Sequence, residues 1–134
     1  MMSAPGGLER RIAARLDEQR RLVESLLELR EQLPGSVFSR YARCGKPACA
    51  CAAGGPLHGP YWVLSRRSGG RGSFAYVERG YVGRTRQMVG RYRRFRSGLR
   101  KLRGLNGELV ELLRRYQEAR ISRAGRTLEL AKAE

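Results

Sequence analysis

The stretch YARCGKPACACAAGGPLHGPYWVL, residues 41–64, holds every cysteine of the chain, Cys44, Cys49 and Cys51, and its only histidine, His58. The spacing is Cys-x4-Cys-x-Cys-x6-His. Three thiolates and one imidazole are a complete tetrahedral donor set for zinc, and a closed set of four is a structural site. The intervening residues suit that task. Gly45 allows a tight turn after the first ligand, Pro47 stiffens the gap to the second, and Gly54, Gly55 and Pro56 turn the chain back towards His58. Residues 36–60 are rich in Gly, Pro and Ala and show neither helical nor strand period. They are expected to form a loop that lacks a core and takes its folding energy from metal. Three other readings stay open: a disulfide from Cys44 to Cys49 or Cys51, buried cysteines beside a surface histidine, and a nucleophilic cysteine with His58 as its base. The last needs an orienting group, for which Glu78 is the only nearby acid.

Outward from this stretch the pattern changes on both sides. YWVLSRR and SFAYVER, joined by the glycine-rich SGGRG, predict a β-hairpin with a loop of about five residues. Before the cysteines, residues 8–33 contain no Gly or Pro, and Leu8, Ile12, Leu16, Val23, Leu26 and Leu33 recur at helical spacing. Pro34-Gly35 is expected to end that helix. Residues 1–7 read as a disordered start. After Gly83, residues 84–123 predict a long helix with a heptad seam. Tyr92, Leu99, Asn106 and Leu113 occupy one register, and Met88, Phe95, Leu102, Leu109 and Tyr116 the other. Residues 124–134 read as a frayed helix end. The expected fold class is therefore α+β: two long helices form a coiled-coil-like stalk around a head of zinc-stapled loop and hairpin, residues 34–83. The seam is expected to serve the first helix, folded back antiparallel, with pairing to a second copy, a homo-oligomer, as the alternative use.

The stretch RCGKPACACAAGGPLHGPYWVLSRRSGGRGSFAYV resembles the core of a bacterial family of small uncharacterised proteins. The matching residues are Arg43, Cys44, Gly45, Lys46, Cys49, Cys51, His58, Gly59, Pro60, Tyr61, Leu64, Ser65, Tyr76 and Val77. The resemblance covers about residues 40–79 and implies a shared architecture and a setting near mobile elements. It carries no established activity.

The formal net charge of the chain is +16. Residues 8–33 are neutral, with six basic and six acidic side chains, whereas Glu78 is the only carboxylate between Leu33 and Gly107. Such an excess favours a polyanion. Arg91, Arg93, Arg94, Arg96, Arg100, Lys101 and Arg103 lie off the heptad seam, and Arg66, Arg67 and Arg71 lie on the hairpin. Their guanidinium forks suit phosphate oxygens. The expected function is a non-enzymatic, nucleic-acid-binding zinc protein, an accessory factor in DNA transactions, with DNA ahead of RNA. The alternative is an oligomeric adaptor that recruits an acidic protein. No apolar run is long enough to span a membrane, and no secretory signal opens the chain, so a cytoplasmic or nucleoid setting is expected. Neither a membrane nor a small-molecule substrate is expected among the partners.

Overall fold

A computed structural model describes residues 6–133. The element order is α1 (Gly7–Leu27), β1 (Ser36–Ala42), β2 (His58–Ser68), β3 (Arg71–Val77) and α2 (Val82–Ala133), with short 3-10 turns at Ala50–Ala53 and Arg79–Tyr81. The chain divides into two compact units, Leu29–Phe95 and a second made of residues up to Glu28 with those from Arg96 onward.

The sheet of the first unit is antiparallel in the order β1-β2-β3. Its hairpin is tighter than the sequence suggests. Arg71 pairs with Ser68, so only Gly69 and Gly70 remain in the turn. Both have positive φ, 60° and 79°, as a two-residue turn matched to strand twist demands. The larger correction is β1 itself. SVFSRYA lies within residues expected to form a loop, yet Ser36–Arg40 pair in register with Ser65–Tyr61. Strand-forming residues were present, but the Gly, Pro and Ala of the following fifteen residues diluted their signal, and the partner edge of β2 supplies what local propensity could not.

Val63 at 1% and Leu64 at 7% exposure anchor the sheet on opposite faces, each burial worth about 1.5–3 kcal/mol. The face of Trp62 and Leu64 receives the first turns of α2. The Arg86 guanidinium lies 4.5 Å over the Trp62 ring, and Val82, Thr85 and Val89 are buried at helical spacing. Thr85 returns its hydroxyl to the Tyr81 carbonyl at 2.7 Å.

α1 was expected to reach Leu33 but ends at Leu27. Pro34 disfavours helical geometry in the residue before it, and the Leu33 N–H instead donates to the Met88 carbonyl at 3.0 Å. Arg30 takes a left-handed φ of 55° in the intervening turn. Of the expected disordered start, residues 1–5 lie outside the described residues, and Gly7 already belongs to α1. At the other end, α2 begins at Val82 and continues to Ala133, past the expected end at residue 123.

In the second unit α1 and the later part of α2 pair antiparallel. Leu26 meets Gly98, the Gln19 amide donates to Asn106 Oδ1 at 2.7 Å, and Arg15 reaches Glu108 at 3.4 Å. The expected seam is rotated by one residue in this part. Leu102, Leu109 and Tyr116 keep their places, but Leu105 and the buried Leu112 stand inside, while Asn106 is exposed and Leu113 is 50% exposed. Adjacent apolar pairs such as Leu112-Leu113 leave the rotation undecided in sequence. Gly98 decides it by admitting Leu26. On α1 the same shift leaves Leu16 at 50% and Val23 at 36% exposure.

This packing sets opposite signs for two glycine substitutions. A Cβ at Gly104 meets open space, so Gly104→Ala should raise stability by about 1 kcal/mol through helix propensity. A Cβ at Gly98 would press into the Leu26 side chain, whose Cγ lies 3.1 Å from it, so Gly98→Ala should lower Tm. Equal Tm increases in both variants would place the helix contact elsewhere.

Candidate metal centre

The β1–β2 ladder ends at the pair Ala42–His58, just past an irregularity between Arg40 and Ala42. His58 is thus held by a strand, and Cys44 follows two residues beyond the partner strand. The connection between them is folded on itself. The Cys49 N–H donates to the Lys46 carbonyl at 3.1 Å, Ala52 N–H to Cys49 at 3.0 Å, and Gly55 N–H to Ala50 at 2.8 Å. The 3-10 turn so formed carries Cys51 inward, to 1% exposure, and stops at Gly54 in the left-handed region.

These elements bring all four residues to one point. The donor atoms of Cys44, Cys49, Cys51 and His58 lie within 4.8 Å of one another. Cys44 Sγ is 3.6 Å from Cys51 Sγ, and Cys49 Sγ is 3.2 Å from His58 Nε2. Tetrahedral bonds of about 2.3 Å to sulfur and 2.0 Å to nitrogen imply ligand–ligand edges of roughly 3.5–3.8 Å. The cluster can therefore hold a metal ion with small adjustments. All three cysteines are free, so neither disulfide pairing is formed. A thiol beside an imidazole is also nucleophile–base geometry. Here two further sulfurs converge on the same point, as a closed coordination set requires and a catalytic pair does not.

Electrostatics separates Cys49 from Cys51. The Cys51 backbone N–H, followed by His58 and the neighbouring thiols, stabilises the Cys49 thiolate and draws its pKa from 9.0 to about 6. For Cys51 the Cys44 backbone N–H, 3.5 Å away, also favours the thiolate, but burial and the adjacent Cys49 and Cys44 sulfurs outweigh it and push the thiol up. At pH 7 a metal-free, reduced chain should hold Cys49 as thiolate ahead of Cys51, ready to take the first coordination bond. Iodoacetamide should alkylate Cys49 before Cys51, with a rate that falls by half near pH 6 on acidification. Mass spectrometry of digested, metal-free protein checks this; Cys51 reacting first would contradict the assignment.

The expected phosphate-binding residues are distributed differently. Arg66, Arg67 and Arg71 are exposed on the hairpin, with Arg66 and Arg71 on the face of Trp62 and Arg67 on the opposite one. In the sheet unit Arg93 and Arg94 are exposed, whereas Arg91 is half-buried and donates to the Glu31 carbonyl at 3.3 Å. Arg96, Arg100, Lys101 and Arg103 are exposed in the helix-pair unit. Sequence reading passed over the sheet face opposite Trp62, which carries Phe38, Tyr61, Phe74 and Tyr76. The alternation in SFAYV was its available signal; Phe38 could not be placed without β1.

Residues 8–87 match the family profile described as "Domain of unknown function (DUF6788)", a span that takes in nearly all of α1, the whole sheet and the four clustered Cys and His residues. No curated protein and no solved structure matches the chain.

Proposed function

The chain belongs to the DUF6788 family, a domain of unknown function, and from that premise we propose that it is a non-enzymatic nucleic-acid-binding protein whose sheet unit is stapled by structural zinc. What supports the reading is how charge divides between the units. Leu29–Phe95 holds thirteen basic residues against Glu31 and Glu78, a net +11 of the chain's +16. No fold of this size needs such an imbalance, which repels itself, and a polyanion relieves it. Zinc is the metal proposed because three sulfurs and one nitrogen suit it and a closed set leaves no position for chemistry. The setting proposed is accessory to DNA transactions. The test is binding to generic duplex and single-stranded oligonucleotides across a salt series. The logarithm of the binding constant should fall linearly with that of salt. Salt-independent binding, or none at low salt by zinc-loaded protein, overturns the proposal.

One observation favours a second reading, an oligomeric adaptor. Leu16, Leu27, Val110 and Leu113 are exposed on the helix-pair unit, at 50%, 74%, 49% and 50%. A stoichiometric complex with an acidic protein and no affinity for nucleic acid would select it.

A further inference from the structure

The sheet has one face beneath α2 and one that presents aromatic rings. On the second, Phe38, Val63 and Tyr76 form one row across the three strands; Ser36, Ser65 and Phe74 form the next; and Arg40 faces Tyr61 in a third. Successive rows stand roughly 7 Å apart along the strands. Val63 is sealed beneath the rings, at 1% exposure, but the rings themselves are open: Phe38 37%, Tyr61 38%, Phe74 66% and Tyr76 68%. They stand edge to face, Phe38 with Phe74 at 6.5 Å and Tyr61 with Tyr76 at 6.1 Å. Arg40 donates to the Tyr76 hydroxyl at 2.9 Å and lies 5.6 Å over its ring. Arg67, paired with Gly72, closes the face at the hairpin end. Between these two arginines the paired positions of the face carry no carboxylate; Glu78 lies just past the end of β3.

Four of the chain's ten aromatic side chains, Phe38, Tyr61, Phe74 and Tyr76, share this one open surface. Three strands, π-faces and flanking guanidinium groups are the parts of a stacking platform. Unpaired bases stack on aromatic rings at small sequence preference, while arginines take the phosphates. A duplex keeps its bases stacked inside and offers no such face. An acidic protein surface would match the charge but leaves the alternation of ring and arginine unused. We infer that this face binds single-stranded nucleic acid by base stacking, between Arg40 and Arg67. The inference rests on the nucleic-acid reading above and narrows it to a class of ligand.

The test uses the zinc-loaded full chain and four probes of equal length: oligo-dT, oligo-U, an abasic oligonucleotide and a duplex. The variant is Phe74→Leu with Tyr76→Leu, which keeps apolar cover over Val63 and removes two π-faces. Circular dichroism and zinc content should match the parent chain. The parent should bind base-bearing strands more tightly than the abasic one. The variant should lose roughly tenfold or more on oligo-dT or oligo-U, as two lost stacking positions imply. Its affinity for the abasic strand and its salt slope should be unchanged, because no phosphate contact is removed. A loss on either strand supports the inference, and the larger loss identifies DNA or RNA. If the variant and parent bind every probe alike, the platform is overturned while phosphate binding stands. If sedimentation then shows that the variant has changed oligomeric state, the face belongs to a second copy. If the parent binds no probe at low salt, the reading beneath the inference falls with it.

Discussion

Chelation of the metal should release one zinc per chain and unfold residues 43–57, while most of the helical signal remains. The connection from Cys44 to His58 is fifteen residues long, and Cys51 is its one buried side chain among the described residues. Ordering such a segment costs on the order of 1 kcal/mol per residue even at the low end. A closed zinc site supplies an apparent ~10–16 kcal/mol in small domains, which is of the same size. Cysteine packing alone is not. α1 and α2 have 21 and 52 residues and no ligand in either, so circular dichroism should hardly change. His58→Ala should reproduce the effect, and amide exchange should locate it, with protection falling between Arg43 and His58. Elemental analysis checks the stoichiometry. Metal-free protein with unaltered exchange in this segment would remove zinc from the account.

The second large effect is expected from Arg93→Glu, Arg94→Glu and Arg100→Glu combined. All three side chains are exposed on α2, outside the residues that its buried positions define, so the fold should survive. Each lost phosphate contact removes roughly 0.7–0.9 from the salt slope, so three should flatten it by about two to three. Binding should weaken by more than about tenfold at moderate salt. Arg66→Glu with Arg71→Glu probes the hairpin, where both arginines share the Trp62 face. A greater loss there than on α2 would move the phosphate surface to the sheet. Unchanged binding in both variants would exclude α2 and the Trp62 face as the phosphate surface and leave Arg40 and Arg67 on the aromatic face to supply it.

The donor cluster was legible because its chemistry is scarce: three cysteines and one histidine have few reasons to gather in one stretch. The hairpin was legible because β-branched and aromatic residues flank glycines. Long-range partners were not. β1 exists because β2 offers an edge to it, α1 stops where Leu33 finds the Met88 carbonyl, and the helix pair rotates to fit Leu26 against Gly98. Each depends on a residue far along the chain, which neither period nor propensity records. The aromatic face was lost for the same reason, since one of its rings sits on the strand that went unrecognised.

The two joints of the sheet imply an order of assembly. β2 and β3 meet across Gly69 and Gly70 alone, whereas β1 must close the whole span from Arg43 to Leu57 before it can pair. Short hairpins form in about 1–10 μs, and longer closures carry a larger entropic penalty. The β2–β3 hairpin should nucleate first, with β1 docking later, at a rate set by how quickly the four ligands find their ion. Refolding of this chain should therefore show one step whose speed depends on free zinc and another that ignores it.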